Sequence, residues 1–140
     1  MKKNLLTIFS ILIPIIATCQ IIPTNFKDCK TEQMFVSAEI EPKWNCDTLS
    51  LVDYMNKYLD EKNIEKIENG KILIGILIYP NGKTCCHSFT NLTKTVLDAE
   101  KFKEIVNKMP NWIPAQQKGK EITYLKQQLL SIRNGKFILN

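Results

Sequence analysis

The chain is poor in the groups that most enzymes use. It has one histidine, His87, in 140 residues, so a serine or cysteine hydrolase would have to use that residue as its base. No G-x-S-x-G or comparable nucleophile setting accompanies it. No C-x-x-C pair occurs either, and the adjacent Cys85, Cys86 and His87 point to alternate faces of a strand, which is a poor arrangement for zinc. The acids follow solvent-facing helical positions and set no pair of carboxylates apart. These absences argue against an enzyme and against a metal or other cofactor.

Charge of one sign is also scarce. The formal net charge of +5 includes Lys2 and Lys3, and without them it is +3. That is too mild for a nucleic-acid partner. The lysines lie beside glutamates, as in DEKNIEKIENGK, which describes a solvated surface. No internal repeat, low-complexity block or Pro/Gly/Ser linker divides the chain, so one domain is expected.

The first twenty residues, MKKNLLTIFSILIPIIATCQ, place two lysines before an apolar run over residues 5–17 and then small or polar residues. The pattern is that of a secretory signal peptide, assigned here to residues 1–19. The run is shorter than the roughly 20 residues that span a bilayer, and Pro14 interrupts it, so a retained anchor is the alternative. Cys19 ends a stretch similar to a lipoprotein box and is the candidate for lipidation; cleavage beside it is the other outcome. Both place the product outside the cytoplasm, in the periplasm or on a membrane surface facing it.

Export puts Cys29, Cys46, Cys85 and Cys86 where disulfides persist. Four cysteines allow three pairings. A Cys85 to Cys86 bond would need a strained turn, so one of that pair is expected to bond Cys29 or Cys46.

Residues 20–32 read as an N-terminal arm or tether, and residues 33–140 as the domain. Residues 34–40 alternate well enough for a short strand that Pro42 ends. Asp47 or Thr48 can cap a helix whose apolar positions are Leu51, Val52, Met55, Tyr58 and Leu59. Residues 71–79, KILIGILIY, form a strand with no polar alternation, covered on both faces or central in its sheet. Pro80, Asn81, Gly82 and Lys83 then make a hairpin turn, and residues 84–92 return antiparallel. Asp98 caps a second helix carrying Phe102, Ile105, Val106 and Met109, which Pro110 stops. Trp112 and Trp44, each beside a proline at a junction of elements, are expected to plug the core. Residues 116–120 read as a polar connector, and residues 121–132 as the last strand, with its register left open by its KQQ centre. The order implies an α+β, two-layer fold with two helices on one face of a small antiparallel sheet.

The block Met109-Pro110-Asn111-Trp112-Ile113-Pro114, followed by Gly119-Lys120-Glu121-Ile122, resembles the M-P-x-W-x-P and G-K-x-V block of the TonB C-terminal domain family. EPKW at residues 41–44, LVDYMNKYL and GILIYPNGK are similar to further parts of it, and the likeness spans residues 39–132. The family's Pro-Gly-Gly turn is replaced by Asn45-Cys46-Asp47, its basic residue by Ile113, and Cys85 and Cys86 lie outside its pattern. No long proline-rich spacer lies within these residues, so an energy-coupling role does not carry over automatically with the resemblance.

The resemblance implies a protein-binding module that takes an extended peptide or protein of the cell envelope, such as the TonB box of an outer-membrane transporter, as an added strand. Strand addition needs an exposed edge with unpaired N–H and C=O groups. The matching edge is Tyr124, Leu125, Lys126, Gln127, Gln128, Leu129 and Leu130. A homodimer pairing through this strand is the competing arrangement. The alternative function is a small disulfide-stapled secreted domain that shares only the fold.

Overall fold

The computed structural model describes residues 21–61, Ile67 and residues 69–138. The signal segment and Cys19 lie outside the described residues. Among the described residues seven strands and two helices follow in the order β1 Thr24–Asn25, α1 Leu51–Glu61, β2 Gly70–Ile78, β3 Thr84–Asn91, α2 Ala99–Asn107, β4 Ala115–Gln117, β5 Lys120–Ile122, β6 Tyr124–Arg133 and β7 Lys136–Ile138.

The β-branched run of β2 lies at the centre of the main sheet, whose order is β1-β3-β2-β6-β7. All of its strand pairings are antiparallel. Ile72, Ile74, Ile76 and Ile78 alternate onto one face and are at most 1% exposed, as the two-residue period of a strand requires. They share a core with Tyr54 and Met55 of α1 and with Phe102, Ile105 and Val106 of α2. Both helices therefore cover one face of the sheet, and the fold is the two-layer α+β arrangement that the order of elements implies. Leu77 points to the opposite face, yet it is also fully buried.

Each helix is tied down by polar contacts as well as by packing. The Tyr54 hydroxyl of α1 donates to the Ile105 carbonyl of α2 at 2.9 Å. Thr84 of β3 donates to the Val106 carbonyl at 2.6 Å. Asn56 brackets β7, accepting from the Phe137 N–H at 2.7 Å and donating to the Phe137 carbonyl at 3.0 Å.

The second helix begins as its sequence implies, with Asp98 accepting from the Glu100 N–H. The first does not. Its cap is Ser50, whose hydroxyl accepts from the Asp53 N–H at 3.1 Å and donates to the Asp53 carboxylate at 2.6 Å, a reciprocal arrangement that Asp47 and Thr48 lie too early to make.

Residues 34–40 form no strand. The chain bends at Val36 and Glu39 and makes only isolated bridges, Phe35 to Tyr124 and Ile40 to Gln116, so no continuous ladder forms along it. The supposed connector over residues 116–120 is instead most of a small β4–β5 hairpin, with Gln116 and Gln117 in β4, Lys120 in β5 and the turn between them. Lys118 and Gly119 both have positive φ, 50° and 72°, the signature of a tight two-residue turn. The last strand is also divided, since β5 ends at Ile122 and β6 starts at Tyr124. A further strand, β7, follows a second such turn at Asn134 and Gly135, with φ of 50° and 74°.

Candidate functional site: a partly covered strand edge

Strand β6 is the fourth of five, not the outermost, because β7 follows it in the sheet. The pairing with β7 is brief, however: Ser131 to Ile138, Ile132 to Phe137 and Arg133 to Lys136. At the other end of β6, Phe35 lies parallel to it. The Phe35 N–H donates to the Thr123 carbonyl at 2.9 Å, and the Leu125 N–H donates to the Phe35 carbonyl at 2.8 Å.

These bonds fix which backbone groups face outward. Leu125 faces Phe35, so by the alternation of an antiparallel strand Gln127 and Leu129 also turn their N–H and C=O groups away from β2. Lys126, Gln128 and Leu130 turn theirs toward Ile76, Ile74 and Ile72 of β2. Among the described residues no strand meets the outward groups of Gln127 and Leu129. The side chain of Gln128 donates to the Leu129 carbonyl at 3.1 Å, in the place where a ladder bond would lie. The open window has room for roughly three residues of an added strand before it meets Phe35 or β7.

Side chains give the window two unlike faces. Tyr124, Leu130 and Ile132 point into the core, with Lys126 and Gln128 half-buried between them. Leu125, Gln127 and Leu129 point the other way, and Leu129 is 36% exposed. Beside the window Met34 and Phe35 are each 41% exposed and Val36 is 71% exposed. Tyr124 lies within 3.5 Å of the Glu41 carboxylate, and burial, with Glu41 adding to it, raises its pKa above the usual tyrosine value.

The tryptophan motif lies on a different part of the molecule and is structural. Trp112 is 3% exposed and meets Trp44 edge to face at 5.4 Å. Trp44 in turn donates from Nε1 to the Leu49 carbonyl at 2.7 Å, while Trp112 Nε1 makes no hydrogen bond among the described residues. Met109 is buried, Pro110 follows the end of α2, and Pro114 directly precedes β4. The Trp112 N–H donates to the Gly82 carbonyl at 2.9 Å, which locks the motif onto the β2–β3 loop. Gly82 has φ of 78°, and a Cβ there would meet the Trp112 carbonyl oxygen at 2.4 Å. Asn81 does not share the positive φ expected of a two-residue turn; the loop is longer, closed by Tyr79 N–H to the Lys83 carbonyl.

Of the cysteines, Cys29 and Cys85 form a disulfide with Cα atoms 5.8 Å apart. Cys46 and Cys86 are free. Cys86 turns into the core, and burial pushes its thiol up to about 12. Cys46 is held below the ordinary thiol value by a hydrogen bond with the Thr48 hydroxyl, helped by nearby backbone N–H groups. His87 is the extra residue of a bulge, since Gly75 pairs with Ser88 and Ile76 with Cys86. Its Nδ1 makes no hydrogen bond among the described residues, and these residues contain no cluster of three or more potential metal ligands.

The disulfide fastens the N-terminal arm. Strand β1 pairs Thr24 with Phe89 and Asn25 with Ser88, and Phe26 donates its N–H to the His87 carbonyl at 2.9 Å. Asp28 pairs with Lys103 of α2, which also lies over the Phe26 ring; the bonds to Asp28 and Glu100 raise the lysine's pKa. Past the disulfide, Lys30 donates its N–H to the Tyr79 hydroxyl at 3.0 Å, and the chain reaches the β6 edge at Phe35. The bridge at Phe35 and the strand β7 were both missed from sequence. The Asn134-Gly135 dipeptide is the signal that could have revealed β7; nothing local marks Phe35.

No family model, curated protein or solved structure matches this chain.

Proposed function

We propose that this chain is an exported binding module, periplasmic or tethered to a membrane, that captures an extended peptide or protein partner as an added strand along β6. The observation that carries this reading is the outward-facing backbone of Gln127 and Leu129, without a strand partner among the described residues. Unpaired ladder groups on a rigid sheet are the chemistry of strand addition. The M-P-x-W-x-P resemblance supports the same reading and points to partners of TonB-dependent outer-membrane transport.

Titration of the isotope-labelled chain with TonB-box peptides tests it. Chemical-shift changes centred on residues 124–130 are expected, with slowed amide exchange at Gln127 and Leu129. Saturating peptide with no change along β6 would refute peptide capture.

A second reading, a disulfide-stapled structural domain with no peptide ligand, is favoured by the Cys29–Cys85 bond and by the shortness of the window. Its dimeric form would show concentration-dependent protection of the same amides without any peptide.

A further inference from the structure

The opposite side of the sheet ends on β1, and there the molecule shows a second apolar surface that strand addition does not use. A cavity of about 410 Å³ is lined by Ile21, Ile22, Phe89, Leu92 and Leu97, among others. Ile21 is 57% exposed, Ile22 78%, Leu92 38% and the neighbouring Val96 96%. Isolated exposed aliphatic residues are ordinary; several at one end of a small domain call for a partner.

The loop that carries Leu92 and Val96 is held in shape. Asn91 donates to the Thr95 carbonyl at 2.7 Å and accepts from the Thr93 N–H at 2.9 Å. The Leu92 N–H donates to the Lys71 carbonyl at 2.9 Å. Val96 thus directly follows an ordered turn, with Lys94 exposed on that turn, Lys71 exposed beside Leu92 and Asp98 engaged as the cap of α2.

What covers this face follows from where it sits in the chain. Ile21 comes directly after the N-terminal segment that holds the apolar run over residues 5–17 and Cys19. An anchor at Cys19 leaves one residue before Ile21, a reach of only about 7 Å. The face then lies within headgroup depth of whatever bilayer holds the anchor. Its composition suits that position: Ile21, Ile22, Leu92 and Val96 are exposed aliphatic side chains with the exposed Lys71 and Lys94 near Leu92, a combination that favours a lipid surface.

We infer that the face formed by Ile21, Ile22, Leu92 and Val96 rests on a lipid bilayer, orienting the domain so that the β6 edge on the far side of the sheet points away from the membrane. The inference rests on the exported, N-terminally anchored reading of the chain.

The test uses the full chain as the cell processes it. Intact mass first establishes whether the N-terminus carries a lipid, is retained or has been removed. The protein is then reconstituted on vesicles of phosphatidylethanolamine and phosphatidylglycerol and labelled with a small carbene reagent. Labelling at residues 91–97 should fall about tenfold relative to the vesicle-free protein, the factor for roughly one aliphatic side chain leaving water. Labelling along residues 124–130 should not change. Ile22→Asp with Val96→Asp should restore labelling of the loop while leaving the anchor mass unchanged. An attached N-terminus with residues 91–97 labelled as in free solution would overturn the inference while leaving the anchored reading intact. A removed, unlipidated N-terminus would overturn both. Protection that appears without vesicles and grows with protein concentration would assign the face to a second copy of the chain, and would also overturn it.

Discussion

Breaking the Cys29–Cys85 bond is the perturbation whose size the structure best defines. The bond closes a loop of sequence separation 56. The chain-entropy relation gives about 14 cal/mol/K for such a loop, or about 4 kcal/mol at 25 °C, removed from the unfolded ensemble. For a domain of this size, with a urea m-value of about 1.5 kcal/mol/M, reduction should lower the urea midpoint by about 2–3 M and steepen the slope, because the unfolded chain without the cross-link exposes more surface. The native state should also loosen locally, because β1 consists of only two residues and so short a strand does not hold itself in place. Amide exchange at Phe26, whose N–H reaches the His87 carbonyl, should rise well before global unfolding. The assay is urea denaturation followed by tryptophan fluorescence, with and without reductant, and with Cys29→Ser and Cys85→Ser together as the covalent equivalent. Peptide mapping under non-reducing conditions should recover Cys29 linked to Cys85. A midpoint shift below about 0.5 M with the bond verified would refute the entropic argument; recovery of Cys86 in the bridge would refute the placement of the arm.

Four other outcomes follow from particular contacts. Gly82→Ala places a methyl group 2.4 Å from the Trp112 carbonyl oxygen at a φ of 78°, so it should cost about 2–4 kcal/mol in chemical denaturation; a neutral result would mean that the loop and the tryptophan motif are not locked together. At pH 8 iodoacetamide should modify Cys46 in the folded protein and spare Cys86, whose thiol is pushed up to about 12, leaving thiolate about a thousandfold rarer than at the ordinary value of 9.0. The same shift makes stability fall as pH rises from about 9 toward 12, because the unfolded chain loses that proton first; Cys86→Ala should flatten this part of the profile. Gln127→Pro should leave the fold intact and abolish peptide capture, since its N–H faces away from β2, whereas Gln128→Pro should destabilise by about 3 kcal/mol or more. Equal destabilisation by the two prolines would show that the outward assignment is wrong.

The parts of the fold that were legible are those written in local signals. The apolar run of β2, the Asp98 cap and the Pro110 stop each act within a few residues of themselves. Ser50 was overlooked because Asp47 and Thr48 come first, yet only Ser50 stands three residues before an acid that can return the hydrogen bond. Lys118-Gly119 lies within residues read as a polar connector, and lysine, which seldom takes a positive φ, does not mark a turn there, while Asn134-Gly135 was passed over although it is the dipeptide most suited to that turn. The bridge at Phe35, the bulge at His87 and the choice of Cys29 over Cys46 depend on residues far away in sequence. No short window of sequence contains them.

One segment ties the two edges of the sheet together. The arm pairs with β3 through β1, is fixed at Cys29, passes the Tyr79 hydroxyl and ends against β6 at Phe35. If β6 captures a strand that extends beyond its open window toward Tyr124, that strand must displace Phe35, whose hold there consists of two backbone hydrogen bonds. With the disulfide intact, Phe35 is six residues from a fixed point, so it competes at the high effective concentration of a short tether. Reduction lengthens the tether and weakens that competitor. Peptides of three residues should then bind the oxidised and reduced protein alike, while longer ones should bind the reduced protein more tightly. Calorimetric titration of both forms checks this, and a long peptide that favours the oxidised protein would show that the arm is part of the binding surface instead of a rival for it.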